Sequence, residues 1–124
     1  MSDMKLTPTG QYNPDVRYTD DPELEKLLAE PIGKYGTMWQ DWIMATYPNM
    51  KVIYVTGCKW AIIPRQVDKM AAKRYDELDE IYRNNNPRPD TADFMQIWQW
   101  EEAKKLWIEH IIIEEIVNVK YPAE

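Results

Sequence analysis

Two residues of the kind that carry nucleophilic or acid–base chemistry, Cys58 and His110, each occur once in the chain. A Cys–His dyad needs the imidazole within hydrogen-bond reach of the sulfur. A lone His on an apolar helical face is more often a packed or hydrogen-bonded residue, so the expectation for this pair is structural. One His and one Cys also supply too few soft ligands for a metal cluster. Gly33 and Gly36 are too few for a phosphate-cradling loop and lack a following Lys-Ser/Thr. The acidic pairs Asp76/Glu80 and Glu114/Glu115 have the residue type for proton transfer, but on exposed helical faces such carboxylates are solvated charge. The expectation is a protein without catalytic residues or cofactor, not an enzyme, that acts by binding.

Binding chemistry has more to draw on. Fifteen basic and 21 acidic residues give a net charge of −6, which argues against generic phosphate neutralisation as the main mode of action. The charge is uneven. Residues 51–75 hold Lys51, Lys59, Arg65, Lys69, Lys73 and Arg74 against Asp68 alone, whereas acids dominate on either side. Lys59, Arg65, Lys69, Lys73 and Arg74 are therefore the candidate nucleic-acid contacts, with pairing inside the chain as the competing explanation. The acidic C-terminal half, with Asp76, Glu77, Asp79, Glu80, Glu101 and Glu102, is the candidate surface for a protein partner. Trp98, Trp100 and Trp107 join that surface: six Trp and eight Tyr against one Phe is a composition that serves interfaces as well as cores.

The elements that must position these groups are helical. Residues 1–20, punctuated by Pro8, Gly10 and Pro14, read as an extended arm, and residues 21–124 as a single helical domain. Asp21-Pro22-Glu23 starts a short helix carrying Leu24, Leu27 and Leu28. After the turn Pro31-Ile32-Gly33-Lys34-Tyr35-Gly36, Met38, Trp39, Trp42, Ile43 and Thr46 mark a helix over about 37–47. Residues 50–57 are rich in β-branched side chains, yet a lone strand would have nothing to pair with, so they read as a short helix ending at Gly57. Val67, Met70, Ala71, Tyr75, Leu78, Ile81 and Tyr82 form the stripe of a helix over about 65–83, with Pro64 at its start and Asn84 to Pro89 ending it.

Asp90, followed by Asp93, is expected to cap a long last helix over about 91–119. Trp100, Ala103, Trp107, His110, Ile113 and Val117 share one face of it. Phe94, Ile97, Trp98, Ile108, Ile111 and Ile112 do not all fit there, so this helix is either central or shared with a partner, a homodimer included. The fold expected is all-α, with four to five helices. The N-terminus has no apolar run of the signal-peptide kind, and no segment approaches the roughly 20 apolar residues of a membrane helix. With its single cysteine, the chain is expected to be cytoplasmic and to have no membrane role.

With the elements placed, the sequence resembles the transposon-encoded TnpV family. The turn Pro31-Ile32-Gly33-Lys34-Tyr35-Gly36, with Met38 after it, matches that family's PIGKYG-type turn. Gly10-Gln11-Tyr12, Tyr54, the corner Thr56-Gly57-Cys58-Lys59, the run Val67 to Ala71, Met95 with Trp98, and Glu114 to Val117 extend the likeness over about 10–117. Pro64 departs from it, standing where the family keeps a good helix former. The resemblance implies a helical accessory protein of a mobile element that assists a recombinase in the manner of an excisionase. DNA contact would then come from the basic segment beside a helix–turn–helix corner at Gly57. The alternative is a mobile-element or phage-encoded inhibitor of a host CRISPR nuclease, of anti-CRISPR type, acting through the acidic half.

Overall fold

The computed structural model describes residues 22–123, and the arm over 1–20, the cap at Asp21 and Gly10-Gln11-Tyr12 lie outside them. The described residues form α1 (Pro22–Ala29), α2 (Lys34–Thr46), α3 (Met50–Thr56), α4 (Ile62–Asn85) and α5 (Phe94–Ile112). A π-helical turn, Ile113–Val117, continues α5, and an irregular tail follows. Among the described residues there is no strand, and residues 50–56 are helical.

Alpha2 begins three residues earlier than the apolar period suggests, because its start is set by tertiary contact. The first N–H groups of a helix have no partner within it. Here a carboxylate from α4 serves two of them: Gly33 N–H donates to Asp68 Oδ2 at 2.6 Å and Gly36 N–H to Asp68 Oδ1 at 2.8 Å. A negative group at a helix N-terminus also meets the positive end of the helix dipole. The approach is close enough that a Cβ on Gly36 would lie 2.3 Å from the Pro64 carbonyl oxygen. Pro64 itself is the third residue of α4, where a missing N–H leaves no hydrogen bond unmade, so α4 starts at Ile62 and takes the proline into its first turn.

The core lies where α2 crosses α4 and the end of α5. Trp39, Ile43, Tyr54, Val67, Ala71, Ile108 and Ile112 are wholly buried. Trp39 packs edge-on against Tyr54 at 5.2 Å and lies near Trp60 and Tyr121. The tail closes over this aromatic group: Trp39 Nε1 donates to the Val119 carbonyl at 2.9 Å, the Tyr54 hydroxyl to the Tyr121 carbonyl, and the Tyr121 hydroxyl to the Ile116 carbonyl at 2.6 Å.

Two expectations are corrected. The α5 cap is Asp93, whose side chain accepts from Met95 N–H at 3.0 Å, and not Asp90. The face of α5 turned inward carries Ile108 and Ile112, while Ala103, Trp107 and His110 of the expected stripe are exposed. The helix is apolar on several sides, and burial follows the side that meets α4 and α2.

Gly36→Ala is expected to lower stability by about 2–3 kcal/mol through overpacking against Pro64. Asp68→Ala should cost about 2 kcal/mol by leaving two amide donors unpaired. Urea midpoints read by far-UV circular dichroism test both, and the double variant should fall short of the sum because one joint is lost twice. An unchanged midpoint for Gly36→Ala would refute the close packing of α2 on α4.

Candidate functional site

Exposed chemistry in this fold sits on helix faces, above all on α4. Arg65, Lys69, Lys73, Asp76 and Glu80 follow one another at three- and four-residue steps, which places them on one outward stripe of that helix. The stripe begins basic and ends acidic. Its first two cations are engaged: Arg65 donates to the carbonyl of Glu30, just past the end of α1, at 2.7 Å and to the Ala61 carbonyl at 2.7 Å, and Lys69 pairs with the Glu30 carboxylate at 3.2 Å. Lys73, Asp76 and Glu80 are exposed and make no ion pair with a described residue.

Arg74, one residue beyond Lys73, points to a different side. It pairs with Glu115 at 3.1 Å and Glu77 at 3.2 Å, and those carboxylates, Glu115 first, hold its guanidinium further into the charged range. Lys59 stands apart again, at the corner between α3 and α4. There its N–H and that of Trp60 donate to the Tyr54 carbonyl, and Cys58 takes a left-handed backbone conformation, φ 60°. Of the five candidate phosphate contacts, Arg65, Lys69 and Lys73 thus share the stripe, while Arg74 on the Glu115 side and Lys59 at the corner lie apart from it.

The candidate protein-binding residues divide as well. Trp100 meets the Tyr82 ring of α4 edge-on at 5.8 Å between centroids and Trp107 meets it at a tilt at 5.5 Å, and Trp100 Nε1 donates to the Asn86 carbonyl at 2.9 Å. Trp98 is turned outward and half exposed. Glu101 joins a network that the sequence reading missed. Lys104, only 13% exposed, places its Nζ 2.7 Å from Asp79 and 3.2 Å from Glu101, while Arg83 reaches Asp79 at 2.8 Å. The Lys104 hydrogen bond holds the Asp79 carboxyl below the usual carboxylate range, with Arg83 assisting. Burial pulls the Lys104 ammonium down, but Asp79 and Glu101 together outweigh it and the net shift is upward. The Glu101–Lys104 spacing of i, i+3 was a legible signal, whereas nothing in the sequence joins either residue to Asp79. Phe94, Met95 and Leu106, exposed on α5 beside Trp98, were not singled out as surface residues either.

Cys58 is exposed on its corner, and His110, on α5, pairs with Glu114 at 3.2 Å. Among the described residues no three His, Cys, Asp or Glu side chains gather as a metal site. No described helix is long and apolar enough to cross a membrane.

The fold is that of a small all-α protein whose signature turn seats one helix on another and whose exposed chemistry lies along α4 and α5. The chain belongs to the TnpV family: the family model described as transposon-encoded protein TnpV matches residues 11–117. Neither the curated proteins nor the solved structures yield a match. The protein is thus a transposon-associated helical protein.

The Asp79–Lys104 pair sets a pH window. Asp79, depressed, contributes stability that is present above its ordinary value of 3.8 and lost as pH falls through its lower folded value. Lys104, raised, contributes stability that is present below 10.5 and lost as pH rises through its higher folded value. Lys104→Met is expected to cost about 1–2 kcal/mol at neutral pH and to reduce the loss of stability on acidification. Thermal midpoints of both proteins across that range are the check, and parallel acid limbs would exclude the pair as the cause.

Proposed function

We propose that this TnpV-family protein is a non-enzymatic accessory factor of its transposon that docks on a protein, such as the element's recombinase, through the outer stripe of α4. The observation that carries this reading is the dispersal of the basic residues. Phosphate binding needs several cations presented on one face. Of the five candidates, Arg65 and Lys69 are engaged by Glu30, Arg74 by Glu115, and Lys59 lies away at the corner. What the stripe offers outward is Lys73 followed by Asp76 and Glu80, a pattern suited to the mixed or basic surface of a DNA-handling protein.

Exposed carboxylates also favour a second reading, in which the protein inhibits a host defence nuclease by occupying a basic channel. The two readings differ in which partner is retained.

Asp76→Lys combined with Glu80→Lys is expected to lower co-purification of the recombinase roughly 10-fold or more, with the far-UV spectrum unchanged. An electrophoretic shift against transposon-end DNA should show no salt-sensitive complex. If such a complex forms and Lys69→Glu with Lys73→Glu abolishes it, DNA is the target and the docking reading is wrong. Retention of a CRISPR nuclease in place of the recombinase would favour inhibition.

A further inference from the structure

The tail after Val117 is held by side chains of other elements and not by a ladder of its own. Its Asn118 and Val119 N–H groups turn back to the Ile113 and Val117 carbonyls, and beyond Val119 no described residue makes a backbone–backbone hydrogen bond. Instead Trp39 Nε1 donates to the Val119 carbonyl at 2.9 Å, and the Tyr54 hydroxyl donates to the Tyr121 carbonyl. Carbonyls two residues apart point to the same side of an extended chain. Exposure follows the same rhythm: Val119, Tyr121 and Ala123 are half-buried, whereas Lys120 and Pro122 are exposed. Trp39 and Tyr54 are wholly buried, so α2 and α3 present their donors on the floor of a groove that the tail fills. The far end of the groove is fitted to a main chain. A Cβ on Gly57 would lie 2.7 Å from the Ala123 carbonyl oxygen, although the glycine has an ordinary φ of −81°. Pro122 gives up no hydrogen bond there, and it holds itself and Tyr121 in extended geometry.

Aromatic-lined grooves bind extended, proline-containing segments of other proteins in this manner. Here the groove and its filling have different origins. Trp39, Tyr54 and Gly57 lie within the residues that the family model matches, which end at Val117, and the tail lies beyond them. We propose that the groove between α2 and α3 is a receptor for an extended peptide of a partner protein, with residues 118–123 as its built-in competitor. The peptide it accepts has the chemistry of the tail: an apolar residue, any residue, an aromatic one, then proline and a small residue. A tethered competitor acts at an effective concentration on the order of millimolar, which sets a threshold for ligands in trans. None of the groove residues belongs to the α4 stripe, so the groove works independently of the docking surface above.

A labelled, end-capped peptide of residues 116–123 is the probe, followed by fluorescence anisotropy against the full chain. Wild type is expected to bind it weakly, because its own tail competes. Tyr121→Phe keeps the ring but removes the 2.6 Å bond to the Ile116 carbonyl, and should tighten peptide binding roughly 3- to 10-fold. Tyr121→Ala should tighten it roughly 10-fold or more, and the peptide should raise the thermal midpoint of that variant. Adding Gly57→Leu to either variant should abolish binding with the helical signal retained, because the new side chain takes the place of the Ala123 main chain. If both Tyr121 variants bind the peptide no more tightly than wild type, the proposal is overturned and the tail is a fixed part of the core. Binding that survives Gly57→Leu overturns the groove as the site.

Discussion

The carboxylate of Asp68 is the constraint on which the arrangement of this protein depends. It accepts from two amide donors near the start of α2, Gly33 and Gly36, and so does for that helix what a capping side chain would do from within. A single acceptor oxygen would fix a point of contact, whereas two oxygens meeting two amides three residues apart also fix a direction. The direction matters because Trp39 and Ile43 follow one and two turns further along the same helix, both wholly buried. Gly36 is the steric half of the same joint, since only a residue without a Cβ lets α2 approach the Pro64 carbonyl. The Pro-Ile-Gly-Lys-Tyr-Gly segment by which the chain resembles TnpV is thereby explained by packing, with no ligand required.

From that joint the remaining contacts follow in order. Trp39, delivered to the centre, needs a partner for its indole N–H once buried, and the Val119 carbonyl provides it. The tail can reach that position because α5 ends in a π-helical turn, which carries Asn118 N–H back to the Ile113 carbonyl at 2.8 Å. Tyr54 and Tyr121 then bond to tail and turn carbonyls, so α3 and the C-terminal segment are held by the same aromatic group.

The helical periods of α2 and α4 were legible in the sequence, whereas residues 50–56 were ambiguous, their β-propensity set against the absence of a strand to pair with, and they are helical. What was not legible depended on contacts between elements. Pro64 reads as a boundary until Gly36 is seen against it, and the start of α2 cannot be placed without Asp68. Charge clustering along the chain conveyed nothing about angle: Lys73 and Arg74 are adjacent, yet about 100° of helical turn separates a solvated lysine from an arginine bound to Glu115. The apolar pattern of α5 misled for a related reason. With large side chains on every side, sequence periodicity alone does not say which side faces α4.

The Asp79–Lys104 pair supplies part of that missing instruction. Turning α5 by a quarter turn would carry Lys104 away from Asp79. It would also take Ile108 and Ile112 out of the core. An ammonium only 13% exposed, held by two carboxylates, is costly to leave unpaired. The pair therefore acts less as net stabilisation than as a setting of rotation, with the Tyr82 ring packed against Trp100 and Trp107 as its apolar counterpart. A helix held in this rotation keeps Ile108 and Ile112 in the core and leaves Phe94, Trp98 and Leu106 outward.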